Sequence, residues 1–141
     1  MKGSVALTAV FLWAADTATA QNVALLLFDA TTSEEFAGCL NCSPYSSESV
    51  CNRYGEYGSR YSDTSIWNRY GSFGSRYQSN SPWNRYGGGL LVVDADGQFY
   101  GHFSLNKFPQ YGQSKLPLIQ AILQLYEADD DLDRIRDALC Q

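Results

Sequence analysis

Hydrophobic and polar positions change rhythm along the chain. Near its start, "LLLFDATTSEEFAGCLN" (25–41) runs apolar, breaks at Asp29 and resumes at Phe36. Further on, "LLVVDADGQFYGHFSLN" (90–106) has the same shape: a β-branched run, an Asp96-Gly97 turn, then alternation through Phe99, Gly101 and Phe103. Both read as β-hairpins, with Asp29, Ala30, Phe36 and Gly38 aligning with Asp94, Ala95, Phe99 and Gly101. A lone hairpin cannot cover its apolar face. The pair is therefore expected to form one four-stranded antiparallel sheet, centred on 25–28 and 90–93. After it, "SKLPLIQAILQLYE" puts Leu116, Ile119, Leu123 and Tyr126 on one helical stripe, with Pro117 in the first turn. A second helix is expected to start near Asp129 or Asp130, either of which can cap it, with Leu132, Ile135 and Leu139 as its apolar face.

Between the hairpins the pattern obeys neither rhythm. "NRYGEYGSRYSDTSIW" (52–67) is followed directly by "NRYGSFGSRYQSNSPW" (68–83), and "NRYG" begins again at 84. Sliding back sixteen positions gives "FAGCLNCSPYSSESVC" (36–51), a decayed copy in which Cys51 takes the slot of Trp67 and Trp83. A period this regular marks a repeated structural unit. Gly, Ser and Asn content excludes helix. The glycines of "YGxxGS" are expected to supply positive φ at a tight reversal, and Asn of "WN" a second corner. Stretches such as "SRYS" and "SIW" alternate as short half-buried strands do. Tyr54, Tyr70 and Tyr86 would then stack in one file, Tyr61 and Tyr77 in another, Trp67 and Trp83 in a third. A disordered low-complexity segment is the competing reading, opposed by the strict spacing and the bulky rings. The expected fold is α+β, mainly β: two similar hairpins (21–42 and 87–108) bracket about three sixteen-residue turn-rich repeats (36–86), with helices over 114–140.

Composition adds a compartment. "MKGSVALTAVFLWAADTATA" (1–20) has one lysine, an apolar stretch from Val5 to Ala15 and a small-x-small ending, the layout of a secretory signal peptide. That stretch is too short for a stable membrane span, which needs about 20 apolar residues. Cleavage would leave Gln21 onward as a single secreted or periplasmic domain. Four cysteines (Cys39, Cys42, Cys51 and Cys140) then read as two disulfides, in any of three pairings. Zinc on Cys39-x-x-Cys42 is the alternative. Net charge is −5, unevenly spread: Arg53, Arg60, Arg69, Arg76 and Arg85 stand in the repeats, and "EADDDLDRIRD" (127–137) follows. An acidic total argues against nucleic acid or anionic lipid as a partner, and the basic belt can pair with the acidic tail within the molecule or on a neighbouring one.

Catalytic chemistry is sparse. The single histidine, His102, falls mid-strand without an acid at readable spacing, and no G-x-S-x-G elbow exists. Asp94-x-Asp96-Gly97 is half of a calcium loop without its remaining ligands, so turn chemistry accounts for it. No catalytic residue, metal ligand or cofactor is assigned. Asn41-Cys42-Ser43 matches a glycosylation sequon.

The stretch "YGSRYSDTSIWNRYGSFGSRYQSNSPWNRY" resembles small exported bacterial proteins with tandem Y-G-S-x-Y-S-x-x-S-x-W-N units, preceded by a "GCLNC"-like segment and followed by a hairpin like "VVDADGQFYGHF". The resemblance covers about residues 25–108, and Gly88 and Gly89 replace the group's proline-rich link. It implies this architecture and an envelope or extracellular setting, and carries over no site residues. The leading expectation is a non-catalytic, disulfide-stapled module that meets a cell-envelope glycan or another extracytoplasmic protein through Tyr54, Tyr61, Trp67, Tyr70, Tyr77, Trp83 and Tyr86 with the five arginines. Within that set, Trp67 and Trp83 are better suited to core packing. The rival is a glycan-active hydrolase using Glu34, Glu35, Asp94 and Asp96, placed near each other if the two hairpin turns meet.

Overall fold

The computed structural model describes residues 23–141; the expected signal peptide lies outside the described residues. Four strands form one antiparallel sheet: β1 (Leu26–Asp29), β2 (Phe36–Cys39), β3 (Leu90–Val93) and β4 (Phe99–Phe103), in the order β2-β1-β3-β4. The central pair is β1 with β3, registered from Leu26 opposite Val93 to Asp29 opposite Leu90. That register sends the two hairpin turns to opposite ends of the sheet. Each hairpin carries a register shift, between Leu27 and Phe28 in one and Leu91 and Val93 in the other. The matching glycines, Gly38 (φ 113°) and Gly101 (φ 96°), hold backbone conformations that side chains disfavour.

Helix α1 (Pro117–Ala128) starts with Pro117 in its first turn and buries Ile119, Ile122, Leu123 and Tyr126. Helix α2 (Leu132–Leu139) is capped by Asp131, whose carboxylate accepts from the amides of Asp133 and Arg134. The cap is thus one or two residues later than expected, because Asp129 instead ends α1 through its amide to the Leu125 carbonyl. Leu132 and Ile135 are buried, and Leu139 packs against the core at its edge. One cluster joins Leu27, Leu90, Val92 and Phe103 of the sheet to both helices and to Val50, Ile66, Trp67, Phe73 and Trp83 of the segment between hairpins.

Between β2 and β3 no strand forms. The chain turns continuously instead. The amides of Ser46, Ser49, Asn52 and Gly55 each donate to the carbonyl three residues earlier, and Ser59 then reaches back four to Gly55. The series resumes at Ser62, Ser65, Asn68 and Gly71, with Ser75 again reaching back four, and continues at Gln78, Ser81 and Asn84. Four steps of three and one of four make sixteen.

Side chains fix each step. The hydroxyl of Ser43, Ser46, Ser49, Ser59, Ser62, Ser65, Ser75 or Ser81 accepts from the amide two residues on, the local bond these residues offer in turns. The carboxamides of Asn52, Asn68 and Asn84 do the same for Tyr54, Tyr70 and Tyr86. Asn52 and Asn68 also donate to the Ser46 and Ser62 carbonyls, bracing two steps at once. The half-buried strands expected at "SRYS" and "SIW" are therefore corners, because each serine captures its own backbone before a neighbouring strand can.

The glycines also act differently from expectation. Gly55, Gly58, Gly71 and Gly74 have no positive φ. Backbone lies against three of them: a Cβ on Gly58 or Gly74 would overlap the carbonyl of Asn52 or Asn68 and one on Gly71 that of Asp63, while Gly55 faces the Asn52 side chain. Of the expected aromatic files only the tryptophans touch, Trp67 and Trp83 lying 6.2 Å apart between ring centroids. Their indole N–H groups donate to the carbonyls of Val50 (2.7 Å) and Ile66 (2.8 Å), each seventeen residues upstream. Leu105 donates to the carbonyl of Pro82, the next position in that series, and so closes this end of the coil.

Two disulfides staple the molecule. Cys39–Cys42 tightens the exit of β2, and Cys51–Cys140 ties the end of α2 to the first tryptophan-equivalent slot. The open choice of pairing is thereby resolved, and zinc ligation at Cys39-x-x-Cys42 is displaced by a covalent bond.

Candidate binding groove

The "SRY" and "NRY" corners each turn an arginine and a tyrosine outward, whereas the corners at Ser49, Ser65 and Ser81 turn Val50, Ile66, Trp67 and Trp83 into the core. Tyr45, Tyr54, Tyr61, Tyr70, Tyr77 and Tyr86 are 79–99 % exposed. Trp67 and Trp83, at 2 %, belong to the core and not to the outward surface. The expected tyrosine files do not stack; their rings stand apart in solvent.

Where these corners face the helices, three adjoining hollows form a groove. The first, of about 490 Å³, is lined by Arg60, Tyr61, Trp67, Asn68, Arg69 and Tyr70, with Leu132 and Asp133 of α2 opposite. The last, of about 730 Å³, is lined by Arg76, Tyr77, Trp83, Asn84, Arg85 and Tyr86, with Tyr126 and the acidic link 127–130 opposite. A middle hollow of about 350 Å³ shares Arg69, Tyr70, Arg76 and Tyr77 with its neighbours. Each ladder residue of the first hollow recurs sixteen positions later in the last. The floor is apolar: Tyr126 stacks on Trp83 at 4.8 Å and 11°, and Leu132 lies beside it.

The basic belt and acidic tail do pair. Arg53 meets Asp137 at 2.6 Å, Arg60 meets Asp133 at 2.7 Å, and Arg76 meets Asp130 at 3.6 Å. Arg60 and Arg76 also lie over the rings of Tyr61 and Tyr77, at 5.0 and 5.5 Å from the centroids. Hydrogen bonding to Tyr61, with Asp133 adding to it, raises the Arg60 pKa. Burial raises that of the Tyr126 phenol. Among the described residues Arg69 and Arg85 have no carboxylate within ion-pair distance.

The remaining expected site residues lie elsewhere. Arg53 and Tyr54 sit beyond the groove's end, the first held by Asp137. The carboxylates proposed for a hydrolase are divided: Glu34 and Glu35 follow β1 while Asp94 and Asp96 follow β3, and the antiparallel β1–β3 register puts them at opposite ends of the sheet. The buried turn acids are also tuned the wrong way for a proton donor. Burial raises the Asp29 pKa, but hydrogen bonds from the Thr32 and Glu35 amides, the Thr32 hydroxyl and the Glu34 amide outweigh it and hold it at about 2. Asp94 is lowered as well, burial being outweighed by the Gln98 amide, the Tyr100 hydroxyl and the Asp96 and Gly97 amides. Both acids bind turns. His102 is used structurally, its Nδ1 lying 2.7 Å from the Gly88 carbonyl oxygen. Among the described residues no group of histidine, cysteine, aspartate and glutamate side chains can hold a metal ion, and no helix is long and apolar enough to cross a membrane.

Asn68, Asn84, Tyr126, Leu132 and Tyr45 were missed as site or surface residues. Tyr45 was visible in the sixteen-residue alignment, whereas the helix residues join only through tertiary packing. The chain matches no protein-family model, no curated protein and no solved structure.

Proposed function

We propose that this protein is an exported, non-catalytic binding module that holds an extended extracytoplasmic polymer, a cell-envelope glycan, in the groove between its turn ladder and its helices. The single observation that carries the reading is the recurrence of the ladder wall of the first hollow, residue for residue, in the last, at a spacing of sixteen. A site that repeats suits a ligand that repeats. Rigid tyrosine rings with planar Arg and Asn between them are the side chains that meet sugar faces and hydroxyls at little entropic cost. Export is supported by the signal-like pattern of residues 1–20 and by the pairing of every cysteine.

Native gel electrophoresis through a panel of soluble bacterial polysaccharides tests it. At least one polymer should retard the oxidised protein, and the double variant Tyr61→Ser with Tyr77→Ser should lose that retardation while melting at an unchanged temperature. No retardation by any polymer, or equal retardation of the variant, overturns the reading.

A further inference from the structure

The groove's two walls differ in how their charges are satisfied. On the helix side every carboxylate already has a basic partner: Glu127 has Lys107 at 3.3 Å, Asp129 has Arg134 at 2.9 Å, and Asp130 and Asp133 have Arg76 and Arg60. On the ladder side Arg69 and Arg85 have none among the described residues, and both line the groove. They occupy the same slot of successive repeats. The groove therefore holds two uncompensated cations at equivalent positions and no uncompensated anion, within a chain whose net charge is −5.

Resting on the binding reading above, we infer that the ligand is a linear polyuronate, a sugar polymer with a carboxylate on its rings, and that Arg69 and Arg85 each take one of those carboxylates. A guanidinium left without an internal partner offers its planar fork to an incoming carboxylate. The opposite wall presents carboxylate oxygens that keep free lone pairs after pairing and can accept from hydroxyls. A uronate ring supplies both groups, carboxylate and hydroxyl donors, and adds an apolar face for the tyrosines. An acidic peptide supplies the carboxylates without the hydroxyls.

Polygalacturonate, its fully methyl-esterified form and poly-L-glutamate provide the arms, with affinities measured on the oxidised chain by calorimetry. Polygalacturonate should bind, the ester at least about tenfold more weakly, and Arg69→Ala and Arg85→Ala should each lose about tenfold toward the acid form only. Arg53→Ala, outside the groove, should bind as the parent does. Equal binding of acid and ester overturns the carboxylate assignment while leaving the binding module standing. Poly-L-glutamate binding as tightly as polygalacturonate overturns the sugar assignment. Absence of binding to polygalacturonate, with another polymer of the panel retained, overturns the inference alone.

Discussion

Gly74 and Tyr54 illustrate how little a residue's size says about its importance here. Gly74 has the carbonyl of Asn68 where its Cβ would be, and that carbonyl is already engaged by the Gly71 amide. Gly74→Ala must displace the corner, and we expect a loss of about 3 kcal/mol or more in urea unfolding. Tyr54→Ala removes a ring that is 99 % exposed and should change stability by less than about 0.5 kcal/mol. Asp29 gives a titratable counterpart. Its folded pKa, about 2, lies below the ordinary 3.8, so its contribution is complete above the unfolded value and is lost as pH falls through the folded one. Stability measured between pH 4 and 2 should decline in the parent, and Asp29→Asn should flatten that part of the curve.

The elements owe their stability to unequal devices. Exposed ion pairs between α2 and the ladder contribute at most about 1 kcal/mol each. The Cys51–Cys140 bond spans 89 residues of sequence, and in the chain-entropy treatment closing such a loop stabilises by about 4 to 5 kcal/mol. The paired change Cys51→Ser with Cys140→Ser should cost about that much in denaturant unfolding, with α2 the first element to lose protection. Hairpins and helices could be read from the sequence because apolar alternation and the stripe of Ile119, Leu123 and Tyr126 are two- and 3.6-residue rhythms with direct structural meaning. The ladder could be read only as a unit of sixteen. Its internal step of three, written in Ser43, Ser46, Ser49 and Asn52, matches neither rhythm and was mistaken for strand. The groove was half legible: its tyrosines and arginines follow from the repeat, while Tyr126, Leu132 and the acidic wall arrive from distant parts of the chain.

At the scale of the molecule, sheet, helices and ladder share one core. Trp83 alone touches Phe103 of β4 at 5.5 Å, Trp67 of the ladder and Tyr126 of α1. The ladder should thus unfold with the sheet and not before it. Hydrogen exchange will check this: the amides of Ser65, Asn68 and Ser81 should open with the same free energy as those of Leu27 and Val92. Trp83→Ala should lower all of them together, by about 3 to 5 kcal/mol.

The contacts of α2 run opposite to the ladder, Asp137 with Arg53, Asp133 with Arg60, Asp130 from the preceding link with Arg76. The C-terminal segment is in effect a ruler laid against the coil and clamped at one end by Cys140. Successive tryptophans are 6.2 Å apart, a distance that a helix covers in about four residues. A gene duplication inserting another hexadecapeptide would therefore stay in step only if this gauge grew by one turn, so the copy number of the coil and the length of the closing helix are tied to change together.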